Sequence, residues 1–298
     1  MTALEAAYQH CADIAKSHYE NFPVGSSLIP EKKRKHVWAV YAFARTADDF
    51  ADEGRHPKET FQDLQVRLDQ LNNWEVKLMR ASRGEADEPI FIALANTLKE
   101  TGLPAQLFRD LLTAYRMDVE KKRYANFTEI LHYCRHSANP IGRLVLLISG
   151  YKDEGLHQMS DHICTALQMA NFWQDVGVDF EKDRIYLPQE LMKRYGVTEG
   201  DLALKIVNKA FRTLLSACVE KAADLFNQGL PLCQGVKKDL RMEIRLTWLG
   251  GTQILHKIQS SNYDVFKRRP VIGKKDIFVL LLRALLPLPL KPYEFKRG

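Results

Sequence analysis

Apolar positions in this chain recur at offsets of three and four almost from end to end, the spacing of one face of an α-helix. Leu4, Ala7, Tyr8, Cys11, Ile14 and Ala15 predict a first helix over residues 3–19, broken by the run Asn21-Phe22-Pro23-Val24-Gly25. Pro30 stands at a favourable first-turn position for the next helix. That helix runs through Val37, Tyr41, Ala44 and Arg45 and is closed by Gly54 through Pro57. Phe61, Leu64, Leu68 and Leu71 mark a third helix over 58–82, and two more, Ile90–Thr101 and Pro104–Tyr115, are divided by Gly102. From Thr128 the pattern continues across Asn139-Pro140 to Ile148, which predicts a Pro-kinked helix. Another helix covers 157–180, followed by an extended segment, Asp183–Pro188, and helices over 199–228, 234–259 and 274–286. Period-2 strands, fixed-length repeats and a dinucleotide-binding glycine fingerprint are all missing. The expectation is one all-α domain over 1–298, with 274–298 as an apolar and basic C-terminal helix and tail.

Two acidic stretches interrupt this apolar rhythm. The first places Asp48, Asp49, Asp52 and Glu53 at the end of the second helix. Helix dipoles favour acids in the first turn, so this cluster sits at the wrong end for structure alone. In the second, Gln168, Asn171, Asp175 and Asp179 follow one another at offsets of three and four and share one helical stripe. Each stretch contains Asp-x-x-x-Asp, and like charges so spaced repel by roughly 0.2–0.5 kcal/mol. A divalent cation relieves that repulsion. Mg²⁺ takes a few carboxylates together with water and substrate phosphates rather than a closed protein cage. Asp48 and Asp52, and Asp175 and Asp179 with Asn171, are therefore candidate ligands. Two such groups facing one another would hold metal ions against a diphosphate.

Composition narrows the alternatives. With 46% hydrophobic and 27% charged residues the chain is of ordinary globular type, which excludes disorder. A net charge of +6 suits an anionic substrate or an acidic membrane surface. Nucleic acid is not expected, because Lys32–Lys35, Lys121–Arg123 and Lys267–Arg269 are short basic clusters without interleaved aromatics. The five scattered cysteines form no Cys-x-x-Cys and fit a reducing cytoplasm. The first ten residues lack the basic and apolar regions of a secretory signal. The run Ile277–Leu290 is too short to span a bilayer and is interrupted by Arg283, Pro287 and Pro289. It reads either as a final helix packed on the core or as a peripheral contact with the inner face of the membrane.

A rival metal pattern, Glu129-x-x-His132 and Glu154-x-x-His157, matches the Glu-x-x-His element of di-iron bundles. Glu154-Gly155 reads as a turn, which weakens it. Arg45 is placed to reach a phosphate or to brace a carboxylate, and Arg184 and Tyr186 follow the second acidic stretch closely. Phe22, Tyr41, Tyr133 and Trp173 are candidates to line a cavity whose π-faces stabilise cations.

Asp48-Asp-Phe-Ala-Asp52 and Asn171-Phe-Trp-Gln-Asp175-Val-Gly-Val-Asp179 resemble the two aspartate-rich motifs of the squalene/phytoene synthases, and the likeness extends over roughly residues 10–270. It includes Tyr41–Arg45, Tyr133–Gly142 and Asp183–Pro188. The resemblance implies the isoprenoid synthase fold, a single helical domain around a central cavity, with two or three Mg²⁺ ions held together with a prenyl diphosphate. Within the family, His18–Ser26, Ala44–Gly54 and Asn171–Asp175 are similar to the bacterial hydroxysqualene synthases of hopanoid pathways. That likeness implies presqualene diphosphate as substrate, loss of diphosphate and quenching by water, with NADPH not expected. Other enzymes of squalene and hopanoid synthesis would be neighbours in the pathway. Asp48, Asp52, Asp175 and Asp179 would act through the metal, assisted by Asn171 and Gln168, with Tyr41 and Arg45 also catalytic. Arg45 and Arg184 would share the anionic load, and Phe22, Tyr41, Tyr133 and Tyr186 would line the site. Asn21, Tyr41 and Gln174 are candidates to hold the quenching water. The chain departs from the dehydrosqualene and phytoene branch at Gln174, where an arginine usually stands. Alternatives are a presqualene diphosphate or squalene synthase condensing two farnesyl diphosphates, and a non-catalytic prenyl-diphosphate binder.

Overall fold

A computed structural model describes residues 1–17, 31–52, 60–286 and 289–295. Among these, every regular element is helical, and strand-like pairing is confined to one isolated parallel bridge between Arg123 and Ile185. The Cα traces form two compact units, Met1–Lys121 with His136–Asp153 and Lys122–Arg135 with Glu154–Gly298.

The first unit contains α1 (Ala3–Ser17), α2 (Glu31–Asp52), α3 (Phe61–Ala81), α4 (Pro89–Thr101) and α5 (Ala105–Glu120). Next come α6 (Phe127–Ser137), which starts in the second unit, and α7 (Asn139–Ile148), which belongs to the first. α2 is the axis of this unit and packs against α1, α3, α4, α5 and α7. Its buried face explains why: Ala39, Ala42, Ala44, Ala47 and Ala51 let neighbouring backbones approach closely. Phe43 fills the space left, against the rings of Trp74, Phe91 and Phe108. The Trp74 indole donates to the Phe43 carbonyl at 3.3 Å, so the buried polar atom is satisfied.

The end of α2 has its own device. Buried Arg67 of α3 donates to the Ala51 carbonyl at 2.6 Å, supplying the cation that a helix C-terminus favours. Thr60 and Asp63 form a reciprocal capping box at the start of α3. Phe61, predicted on its apolar stripe, is exposed; the buried face runs instead through Arg67, Leu71, Trp74 and Leu78.

The second unit contains α8 (Glu154–Gln174), α9 (Val176–Glu181), α10 (Gln189–Tyr195), α11 (Glu199–Ala203), α12 (Lys209–Gly229), α13 (Leu232–Gly235), α14 (Lys238–Ser260) and α15 (Lys274–Leu285). α8 lies along α12 and also touches α13 and α14. Two glycines make this approach possible. A Cβ on Gly229 would fall 2.5 Å from Ile163 Cγ1 and 2.8 Å from the Met159 carbonyl oxygen, and one on Gly251 would fall 2.2 Å from the Phe226 ring.

Three predicted helices are divided. The expected kinked helix is two, because Ala138 leaves the helical hydrogen-bond pattern and Pro140 then sits in the first turn of α7. The helix expected over 199–228 is interrupted after Ala203 and restarts on Asn208, whose side chain caps α12. The helix expected over 157–180 breaks at Asp175.

Candidate active site

The first acidic group is carried by the last two turns of α2. Arg45 bonds Asp48 at 3.4 Å and also pairs with Asp49, so the guanidinium braces carboxylates of its own helix. Its Nε atom is buried and has no hydrogen-bond partner. Burial is the main force that pushes Asp48 up to about 6, and the negative charges of Asp52, Asp118 and Asp49 add to it against the opposing pull of Arg45. Asp118 is a buried acid of α5 that the acidic motif itself does not contain. Its stripe-mates Leu111 and Ala114 stand at offsets of seven and four, so a lone acid on an apolar stripe was the available signal. Tyr115, also of α5, is held protonated well above its ordinary range by burial and by the charges of Asp48 and Asp118. Tyr41, half-buried one turn before Arg45, is shifted the same way, again chiefly by burial.

The second acidic group straddles the break between α8 and α9. The Asp175 amide still bonds the Asn171 carbonyl at 2.9 Å and the Asp179 amide bonds the Asp175 carbonyl at 2.8 Å. The path therefore stays helical in sense while Asp175 itself, at φ −106° and ψ 14°, leaves the α region. Gln168 and Asp179 are half-buried, while Asn171 is exposed. Gln174 is buried, and its amide donates to the carbonyl of Pro270. The next residue back, Arg269, holds Asp175 through both carboxylate oxygens: Nε pairs with Oδ1, and Nη2 reaches Oδ2 at 2.9 Å.

Arg269 is the main residue that the linear pattern did not single out. It stands in the basic run Lys267–Arg269, and no spacing rule connects position 269 with position 175. With Lys257, Ser261, Asp264, Lys267 and Arg268 it lines an open cleft of about 700 Å³. Such a concentration of cations attracts an anion.

Residues beyond Asp179 are organised around the segment that begins at Asp183, whose φ of 56° makes a sharp left-handed turn. Lys122 and Arg123 bond Asp183 at 2.8 and 2.9 Å and hold its carboxyl below the usual range, and Arg123 also pairs with Glu199. This basic cluster is thus a clamp on the 183–188 segment. Asp179, Arg184 and Tyr186 come together around a small cleft with Phe172 and Val176. The Tyr186 ring lies flat on Phe172 at 3.6 Å, with Tyr133 tilted against both, all buried. Asn21 and Phe22 lie outside the described residues.

The rival di-iron pattern gains no support. The Glu129 carboxylate accepts from the Ala125 amide at 2.7 Å, and among the described residues no group of three or more His, Cys, Asp or Glu side chains is poised to enclose an ion. Carboxylates grouped on α2 nonetheless suit a hard cation that takes its remaining ligands from water and phosphate, because an ion relieves the crowding that raises Asp48. The described cysteines are free, and no described helix is long and apolar enough to cross a membrane.

The chain thus combines an all-helical architecture with an acidic group in each unit and, around Arg269, a basic cleft. The squalene/phytoene synthase family model matches residues 15–276, and the chain belongs to that family of prenyl-diphosphate-processing enzymes. It is 37% identical over 229 residues to hydroxysqualene synthase of Rhodopseudomonas palustris, covering 76% of this chain and 75% of that protein. It is 28% identical over 284 residues to 15-cis-phytoene synthase of Synechococcus elongatus, covering 91% and 90%. Among solved structures, squalene synthase HpnC from Alicyclobacillus acidocaldarius superimposes with a TM-score of 0.81 at 36% identity, covering 87% of this chain and 95% of that one. A dehydrosqualene synthase bound to a ligand superimposes at 0.82 with 23% identity, covering 94% and 96%, which speaks for the shared isoprenoid synthase fold.

Proposed function

We propose that this chain converts presqualene diphosphate and water into hydroxysqualene and diphosphate. The carbon–oxygen bond to the diphosphate breaks and its electron pair leaves on the diphosphate oxygen. The cyclopropylcarbinyl cation rearranges, and a water oxygen forms the new carbon–oxygen bond and releases one proton. The observation that carries this reading is at Gln174. A buried neutral amide that donates to Pro270 occupies the position where, by the resemblance, the dehydrosqualene and phytoene branch usually places an arginine. The 37% identity to a hydroxysqualene synthase supports the same branch.

Asp48 and Asp52 on α2, and Asp175 and Asp179 with Asn171 on α8 and α9, would hold Mg²⁺, with Gln168 assisting. When bound, the metal supplies Lewis-acid stabilisation of charge on the leaving diphosphate. Arg45 keeps Asp48 in place and offers its unpartnered Nε to an anionic oxygen. Arg269 and Arg184 would share the anionic load as diphosphate departs. The stacked faces of Phe172 and Tyr186, with Tyr133, suit a carbocation. Tyr41, kept protonated, offers a hydroxyl to hold the quenching water, and Gln174 has one of its amide N–H groups engaged by Pro270. Peripheral contact with the inner face of a membrane belongs to this reading, since the substrate's tails and the product are apolar.

The test offers the purified protein presqualene diphosphate or farnesyl diphosphate, each with Mg²⁺ in ¹⁸O-labelled water, with and without NADPH. Labelled hydroxysqualene from presqualene diphosphate, unaffected by NADPH, is the expected product. Presqualene diphosphate or squalene made from farnesyl diphosphate would move the chain to the condensing branch.

A further inference from the structure

α15 is held firmly on the second unit, yet it turns its apolar side outward. Its first turn is tied by Asp276, which accepts from Lys257 of α14 at 2.7 Å. Its end is tied by buried Arg245, which donates to the carbonyls of Arg283 and Leu286 at 3.1 and 2.9 Å. The chain beyond returns to the same unit, where Asn227 exchanges two bonds with the Tyr293 backbone at 3.0 and 2.7 Å. Within α15 itself, however, Leu280 and Ala284 are the buried side chains. Phe278 is 64% exposed, Leu282 50% and Leu285 68%, and these share one outward stripe at offsets of four and three. Ile277, Val279 and Leu281 widen it. Among the described residues, eight of the fourteen exposed large apolar side chains fall within residues 271–286, whereas the others are scattered singly. A patch so concentrated marks a surface that something covers.

The charges on this face indicate what covers it. Lys274 stands one turn before Phe278, with Lys275 beside it; Arg283 lies within the helix and Lys291 follows it. All four side chains are exposed, and none makes an ion pair among the described residues. Lys274 and Lys275 occupy the helix end where the dipole disfavours cations, so they do not serve α15 itself. Exposed Lys267 and Arg268 lead into the same segment. Two copies of the chain joined through this face would bring unpaired lysines together, a repulsive arrangement. An anionic bilayer meets both requirements at once, burying the apolar stripe at the level of the acyl chains and placing the lysines among acidic headgroups. At twelve residues, about 18 Å long, the helix lies in the interface rather than crossing it.

We infer that α15 is an interfacial helix that docks this protein onto membranes rich in anionic lipid. The inference deepens the membrane contact included in the reading above by naming the element and the lipid, and its test reads vesicle binding rather than a product, so the two can fail separately.

The test measures partitioning of the full-length protein into vesicles of pure phosphatidylcholine and of an equal mixture of phosphatidylcholine and phosphatidylglycerol. Strong binding to the mixture and weak binding to pure phosphatidylcholine are expected. The pair Lys274→Gln and Lys275→Gln should weaken binding to the mixture by about 20-fold or more, roughly fivefold for each lysine. The pair Phe278→Asp and Leu282→Asp should abolish it, with unchanged helical circular dichroism because both side chains point to solvent. The single variant Phe278→Trp should shift its emission to the blue on the mixed vesicles and be quenched by brominated acyl chains. Absence of binding to the mixture overturns the inference. So does binding that survives the aspartate pair, which would be adsorption by charge alone, and so does a concentration-dependent dimer that the aspartate pair dissociates.

Discussion

The two acidic groups are built from similar residues and are stabilised in opposite ways. On α2, Asp48 is crowded by Asp49, Asp52 and Asp118, and burial together with their charges lifts its pKa to about 6. Among the described residues, the cation that acts on Asp48 is Arg45, which also pairs with Asp49. At the α8–α9 break, Asp175 faces a bidentate guanidinium from Arg269. At the first group, a divalent cation would relieve the crowding and burial that raise Asp48. At the second group, an incoming cation must compete with a side chain for the same carboxylate. The same Asp-x-x-x-Asp spacing therefore predicts different responses to metal and to pH.

The largest effect should come from removing either group outright. Asp48→Ala or Asp175→Ala should lower turnover of presqualene diphosphate by about a thousandfold or more while leaving the helical circular dichroism intact, because several kcal/mol of charge stabilisation is lost. Full activity in either variant would overturn the metal assignment. Next in size, Arg269→Gln should cost about ten- to hundredfold in kcat/KM, the range for a charge-assisted hydrogen bond. The same change should tighten Mn²⁺ binding measured without substrate, since it removes the competitor for Asp175. Weaker Mn²⁺ binding would mean that Arg269 helps to shape the site instead of contesting it.

A third change addresses the supports of the two groups. α2 is held by its own alanines, whereas α8 depends on glycines of its neighbours. Gly251→Ala forces a methyl group into Phe226 and Leu167 and should destabilise the fold by about 1–3 kcal/mol, read as a lower midpoint in urea. The smallest effect is on the apoprotein. Because Asp48 titrates above its ordinary range, the folded chain takes up a proton that the unfolded chain does not, in the interval between that range and about pH 6. Its contribution to stability is therefore greatest in acid and declines as pH rises through 6. Asp48→Asn should raise the melting temperature of the metal-free protein at pH 7 by about 2 °C and do nothing at pH 4. A drop at pH 7 would show that the charge is better compensated than its neighbours suggest.

Much of the architecture was legible in the order of residues. Helical periodicity gave an all-α chain, and Asp-x-x-x-Asp, read with the Gln168 and Asn171 stripe, marked both acidic groups. Each of these rests on interactions between residues a few positions apart, which spacing alone encodes. Boundaries were less legible. The break at Asp175 and the division at Ala138 interrupt helices whose apolar pattern continues without a pause, because the pattern reports which face is buried and not whether each backbone bond is made. The exposed Phe61 and the outward stripe of α15 show the same limit, since a sequence names an apolar residue without saying what is available to cover it.

What the sequence determined by itself was the class of fold, the family and the spacing of the two acidic groups. Tertiary structure alone decided their electrostatic state. Asp118 reaches the neighbourhood of Asp48 from another helix, and Arg269 meets Asp175 across ninety-four positions of chain. Charge interactions depend on distance through space, and that distance exists only once the helices have packed.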